Sequence, residues 1–379
     1  MSDEISVLIV DDSALMRNLI GRMVEDTPGL VVAEKAMNGL FALQKIQRAE
    51  PDVICLDLEM PEMNGIEFLK ERKKRGINVP VVILSSVAAK GAEITMEALS
   101  LGASDFVQKP SGSISEDIHV VKETLITKLL GYGGAHRRQQ GKKVLTPSEY
   151  TPKSPSEKQS DIAVHFKLAA AAPITPAQAP ARARSPANTE IIAIGISTGG
   201  PDALRVVFAK LDADLRVPIV VVQHMPAGFT MEFAKSLDRI CPLDVKEVED
   251  GDPIIPGRIL IAQGNKHLEV EKKVSGAVAR LSDNPLVSGH RPSADVLFAS
   301  VAMSYSNHAL GVIMTGMGRD GAQHLGTIYK EGGITLGQDE PSAVVYGMPR
   351  VAYELGHVME QVSLDNMARR ICEVAKTKR

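Results

Sequence analysis

Two stretches of this 379-residue chain alternate short, almost wholly apolar runs with amphipathic ones, and few folds accommodate that alternation. Runs apolar at nearly every position, such as ISVLIV (5–10), DVICL (52–56) and VPVVIL (79–84), mark parallel strands covered on both faces. With LVVAE (30–34) and SDFVQ (104–108) they give five strands in the first 130 residues. Helical patterns fall near 14–26, 38–48, 65–75 and 91–101, with a fifth near 116–130. Five βα units in a row predict a doubly wound, five-stranded parallel sheet.

The pattern then breaks. Residues 131–187 hold seven of the 22 prolines, and nine Lys/Arg against three Asp/Glu give the segment a charge of +6. It reads as a flexible, basic, Pro/Ala-rich linker. From 188 to 379 the βα alternation returns, with strands at 191–196, 217–225, 258–264, 309–316 and 333–338. Helical stretches lie near 201–211, 229–239, 293–304, 319–331 and 363–376, and 268–282 reads as a hairpin. The expected organisation is therefore a first α/β domain over 1–130, a linker over 131–187, and a mainly parallel, doubly wound α/β domain over 188–379.

Bulk properties exclude several classes. The net charge of -3 gives no sign of a nucleic-acid-binding surface. Cys55, Cys241 and Cys372 are far apart and form no CxxC or Cys/His cluster, which fits a reducing cytoplasm rather than a disulfide framework or zinc site. The acidic start MSDEISVLIVDD has no basic, apolar leader pattern, and no run approaches the roughly 18 apolar residues of a membrane span. A cytoplasmic monomer is expected.

Ligands of open α/β sheets bind at the C-terminal strand ends. In the first domain strand one ends in Asp11 and Asp12, strand three in Asp57 and strand four in Ser85, and Lys109-Pro110 follows strand five. Three converging carboxylates repel one another unless a cation lies among them, and hard oxygen donors suit Mg²⁺. Together these groups describe a phosphoryl acceptor: Asp57 attacks, Lys109 and the metal charge neutralise phosphoryl oxygens, and Ser85 hydrogen-bonds the product. Acidic residues that merely cap helices would explain one Asp, but not the ordered set. These residues, with DLEMPEMNG around Asp57, resemble the receiver domain of bacterial response regulators over 1–130. The resemblance implies a flavodoxin-like fold and phosphorylation of Asp57. It also implies Mg²⁺ binding by Asp11, Asp12, Asp57 and the Glu59 carbonyl, and switching by Ser85, Phe106 and Lys109.

In the second domain IIAIGISTGGP places Ser197 between a strand and a helix, and Gly195 to Gly199 match the G-x-S-x-G nucleophile elbow. A phosphate loop is the competing reading, but neither GxGxxG nor a Walker lysine is present. A serine nucleophile needs a base and an acid that orients it. His224 ends the next strand, and Asp320 follows the ALGVIMTG strand; Asp320 with His357 is the alternative pair. GISTGGP, QHMPAGFT, HRPSADVLF (290–298), TGMGRDGA and YGMPR resemble the protein-glutamate methylesterases of bacterial chemotaxis, the CheB family. Ile196 departs from the Ala usual there, and the linker is long. The resemblance implies a catalytic Ser197, His224 and Asp320, with an oxyanion hole at Met317 N–H and a contribution from Thr198. It further implies methyl-ester cleavage and glutamine deamidation on chemoreceptors, with no cofactor for hydrolysis. A chemotaxis histidine kinase would be the phosphodonor, and the unphosphorylated receiver would cover the Ser197 cleft. A DNA-binding regulator is disfavoured by the acidic second domain and its lack of a helix-turn-helix pattern.

Overall fold

Apolar strands flanked by capped helices build both halves of the computed structural model, which describes residues 3–85, 89–109, 116–143, 180–274 and 276–378. The chain divides into two compact units, residues 1–174 and 175–379.

In the first unit β1 (Ile5–Val10), β2 (Leu30–Ala36), β3 (Val53–Asp57), β4 (Val81–Ser85) and β5 (Asp105–Gln108) form a parallel sheet in the order β2-β1-β3-β4-β5. Helices α1 (Ala14–Glu25), α2 (Gly39–Ala49), α3 (Gly65–Lys74), α4 (Ala89–Ser100) and α5 (Glu116–Gln139) alternate with the strands. Ser13 and Asn38 accept the first free N–H groups of α1 and α2, and Asn64 with Glu67 forms a capping box on α3. The strand order reverses between β1 and β3, which brings the acidic ends of those strands side by side.

Helix α5 runs past the boundary expected at 130, through the glycine-containing GYGGAHRRQ. Tertiary packing overrides the low helix propensity of glycine at this point. Gly133 lies so close to β1 that a Cβ there would sit 2.3 Å from Ile5 Cγ2. Arg137 donates to the Glu4 carbonyl and to buried Asp52 Oδ2, each at 2.9 Å. The middle of the expected linker, 144–179, lies outside the described residues.

Its far end belongs to the second unit: Arg182 Nη2 donates to the carbonyls of Gly332 and Gly333, and Ala183 N–H to Lys330 O. This unit has a seven-stranded sheet built from β6 (Ile191–Ile196), β7 (Ile219–Gln223), β8 (Asp244–Glu247), β10 (Arg258–Ile261), β13 (Ala309–Ile313), β14 (Ile334–Gln338) and β15 (Glu360–Val362). All its pairings are parallel, in the order β15-β14-β13-β6-β7-β10-β8. The expected hairpin is present as β11 (His267–Lys273) and β12 (Gly276–Ser282), joined antiparallel by the two-residue β9 (Pro253–Ile254). Helices α6 (Gly200–Phe208), α7 (Thr230–Asp238), α8 (Ala294–Tyr305), α9 (Ala322–Lys330), α10 (Met348–Glu354) and α11 (Leu364–Lys376) complete it. Strands β7 and β13 stop short of the expected 225 and 316, which frees His224 and the loop after Met314 for other geometry.

Cutting Arg137 back to Ala would leave the Asp52 carboxylate buried without its nearest guanidinium. Arg137→Ala should therefore destabilise the first unit by about 3 kcal/mol in urea unfolding. A loss under about 1 kcal/mol would mean that the α5 extension is not anchored in this way.

Candidate functional site

Ser197 leaves the end of β6 at a turn that only glycine neighbours permit. A Cβ on Gly195 would come within 2.7 Å of Ala294 Cβ on α8, which packs across β6. Gly199 has φ +86°, in the left-handed region, at the start of α6. Ser197 N–H donates to Thr315 O at 3.0 Å, and Ser197 O accepts from Gly200 N–H at 2.8 Å. Buried Gln223, the last residue of β7, donates from Nε2 to the carbonyls of Ser197 (3.1 Å) and His224 (3.0 Å). One amide thus ties the two strand ends together.

His224 Nδ1 lies 3.0 Å from Ser197 Oγ, and its Nε2 lies 2.8 Å from Asp320 Oδ2. Asp320 follows β13 on a loop turned by Gly318 and Gly321, at φ +80° and +81°. Its buried carboxylate accepts from Ser293 Oγ (2.6 Å), Ala294 N–H (2.7 Å) and Asp295 N–H (3.2 Å). These donors open α8, where unpaired N–H groups and the helix dipole favour an anion. Burial works to raise the Asp320 carboxyl. The hydrogen bond and charge of His224, the Ser293 hydroxyl and Ala294 N–H outweigh it and hold the group below the usual carboxylate range. An ionised carboxylate only accepts, so the hydrogen-bond network assigns the ring proton to Nε2 and leaves Nδ1 to accept from Ser197 Oγ.

The alternative pair of Asp320 with His357 does not form: His357 Nδ1 bonds the Ala322 carbonyl beneath α9. Thr198 is buried, and Met317 sits more than a third exposed on the loop after β13. Among the described residues, the N–H groups of Thr198 and Met317 donate to no acceptor. Gly316 lies beneath the serine; a Cβ on it would be 2.8 Å from Ser197 Cβ. Ile196 is fully buried in the sheet.

In the first unit the carboxylates of Asp11, Asp12 and Asp57 each offer an oxygen within 4.8 Å of the others. Lys109 Nζ lies 2.7 Å from Asp57 Oδ2 and 3.5 Å from Asp11 Oδ2. Burial raises the Asp11 carboxyl above its ordinary value and repulsion from Asp57 adds to this, against the opposing charge of Lys109. Burial alone would depress the Lys109 ammonium; Asp57 and Asp11 hold it above its usual range instead. A small cavity beside Asp57 is lined by Glu59, Ser85, Gly91, Ile94 and Lys109. Ser85 Oγ shares a 2.6 Å hydrogen bond with Thr95 Oγ1, and Phe106 is buried within β5. Pro110, of the expected Lys-Pro pair, lies outside the described residues.

Sequence reasoning missed the supports of Asp320. Ser293 carried a legible signal, a small polar residue just before an apolar helical run. Gln223, which ties Ser197 to His224, carried none in isolation. Because the folded Asp320 carboxyl is depressed, it contributes stability that is present above about pH 4, where the unfolded group ionises, and is lost as pH falls through the folded value. Asp320→Asn should flatten that part of the acid limb in urea unfolding at stepped pH. An unchanged limb would contradict the assignment.

Comparison with known proteins finds relatives of both halves of the chain. The response regulator receiver domain family matches residues 7–119, and the CheB methylesterase family matches residues 192–371. The chain is 61% identical to the protein-glutamate methylesterase/protein-glutamine glutaminase of Treponema denticola, over 99% of each chain. It is 49% identical to the protein of that name from Treponema pallidum, over 99% of this chain and 98% of that one. The crystal structure of the Thermotoga maritima CheB methylesterase catalytic domain shares 34% identity, covering 49% of this chain and 99% of that one with a TM-score of 0.48. With a receiver half and a methylesterase half matched in this order, and near-complete coverage by such relatives, the chain belongs to the protein-glutamate methylesterase/protein-glutamine glutaminase (CheB) family of response regulators.

Proposed function

We propose that this protein is a serine hydrolase, controlled by phosphorylation of Asp57, that cleaves glutamate methyl esters on chemoreceptors and deamidates receptor glutamines. The observation that carries the chemistry is the line from Ser197 Oγ through His224 to Asp320, at 3.0 and 2.8 Å. Ser197 Oγ attacks the γ-carbonyl carbon as its proton passes to His224 Nδ1. The C–OCH₃ bond then breaks and methanol leaves with that proton. Water, activated by the same nitrogen, hydrolyses the glutamyl-serine ester and restores both carboxylate and hydroxyl. A glutamine side chain entering the same sequence releases ammonia instead. Asp320 stays ionised and stabilises the imidazolium formed in each half. The N–H groups of Met317 and Thr198, which donate to no acceptor among the described residues, supply the oxyanion donors, each worth about 3 kcal/mol in the transition state.

The receiver half reads as the switch. Asp57 takes a phosphoryl group from the phosphohistidine of a chemotaxis kinase, and Lys109 Nζ is placed to meet the phosphoryl oxygens. Oxygen donors from Asp11, Asp12 and Asp57 converge closely enough to hold Mg²⁺, with the Glu59 carbonyl as a further ligand. When bound, the ion supplies positive charge against the carboxylates and the incoming phosphoryl group. Ser85, at the end of β4, and Phe106, within β5, are the residues through which that charge change is read out. Among the described residues no helix is long and apolar enough to cross a membrane, and the reading places the enzyme in the cytoplasm, acting on the cytoplasmic side of its receptors.

Methanol release from methylated chemoreceptor membranes, with and without Mg²⁺ and acetyl phosphate, tests both halves. Ser197→Ala and His224→Ala should each lose about 10⁴-fold or more of the rate, and Asp320→Asn about 10³–10⁴-fold. Asp57→Ala should keep the basal rate and lose the stimulation, as should chelation of Mg²⁺. Release that survives Ser197→Ala would overturn the hydrolase reading; stimulation that survives Asp57→Ala would overturn the switch.

A further inference from the structure

His224 is held at two points, and two points define only an axis. Its hydrogen bonds to Ser197 Oγ and Asp320 Oδ2 are made through the ring-edge atoms Nδ1 and Nε2. They leave the ring free to rock about the line between them, and rocking weakens both bonds as the angles bend. A second imidazole supplies the missing constraint. The His290 ring stacks on the face of His224 with centroids 3.8 Å apart and planes 15° from parallel.

His290 is itself firmly placed. Val287 and His290 exchange backbone hydrogen bonds, at 3.1 and 2.9 Å, across a two-residue turn. Ser288 and Gly289 in that turn have φ +53° and +79°, the geometry of a tight hairpin connection. Ser288 Oγ donates to Asp295 Oδ2 at 3.1 Å. The next residue, Arg291, donates to Asn265 Oδ1 and to the carbonyls of Asp283 and Asn284. Among the described residues neither ring nitrogen of His290 makes a hydrogen bond, so its contact with the site is through the ring face.

We propose that His290 is a positioning residue for the hydrolysis: its ring, clamped on the face of His224, keeps that imidazole in the plane joining Ser197 Oγ to Asp320 and shields that face from water. The inference rests on the reading of Ser197, His224 and Asp320 given above. Among the described residues, the titratable groups in contact with His224 are Asp320 at Nε2 and His290 on the ring face. Asp295 stands behind Asp320 through its own N–H, and carries His324 at 3.2 Å. Burial, with repulsion from His224, pushes His290 down to about 4 against the pull of Asp320, so it stays neutral while His224 cycles through its charged form.

The test is the full-length protein on methylated receptor membranes, with kcat and KM measured across pH about 5–9. His290→Ala should lower kcat by about 10- to 100-fold with KM little changed. Its acid limb should also move to higher pH, because water reaching the open ring face favours charged His224. His290→Phe keeps a ring and drops both nitrogens; it should return kcat to within about threefold of wild type with the wild-type pH profile. Wild-type kcat and profile in the Ala variant would overturn the proposal. So would a Phe variant that melts like wild type yet is impaired, since the nitrogens would then be at work; should the Ala variant not fold, the Phe variant decides. Ser197→Ala runs in parallel: activity remaining there would sink the serine mechanism itself, whereas its loss beside an indifferent His290 would sink only the present inference.

Discussion

The catalytic half depends on one buried carboxylate. Asp320 gathers the Ser293 hydroxyl, two N–H groups that open α8, and His224 Nε2. A buried carboxylate lacking such donors would be pushed towards its neutral form. With them it stays charged, and its charge fixes the tautomer of His224 and hence the acceptor at Nδ1. The same contacts bind three distant pieces of chain into one site: the loop after β13, the start of α8 and the end of β7. The glycines around Ser197 follow from that convergence. Gly195 admits α8 and Gly316 lets the loop pass beneath the serine.

Both units place their reactive groups by the same rule. Parallel strands packed on both faces leave their C-terminal ends as the open rim, and a reversal in strand order opens a crevice there. In the first unit the reversal sets Asp11 beside Asp57; in the second, β6 lies between β13 and β7, which sets Ser197 beside His224 on one side and the Asp320 loop on the other. The charge logic is opposite. Three carboxylates against one lysine leave the first site with an excess of negative charge, while the serine site has one carboxylate already satisfied by donors.

Much of this was legible in the sequence, for identifiable reasons. Strands such as β1, β3 and β6 are apolar at nearly every position and could be read within a residue or two. The charged edge strand β8, DVKE, has only Val245 buried, and the short α10 begins at a Met-Pro step, so neither stands out from a loop. The end of α5 was hidden because GYGG reads as a break, whereas the contacts that hold it, with Glu4, Ile5 and Asp52, are distant in sequence. For the site, residues at strand ends were accessible to reasoning by position. His290 was not, because its place depends on a turn held by Arg291 and Asn265, a contact between segments 26 residues apart.

The most direct test of the account's central claim, that Ser197 is an activated nucleophile, is to treat the full-length protein with a fluorophosphonate and map the adduct by peptide mass spectrometry. The account predicts a single stoichiometric adduct on the peptide containing Ser197, suppressed when His224 is replaced. No adduct on folded protein, or labelling centred on another residue, would contradict it.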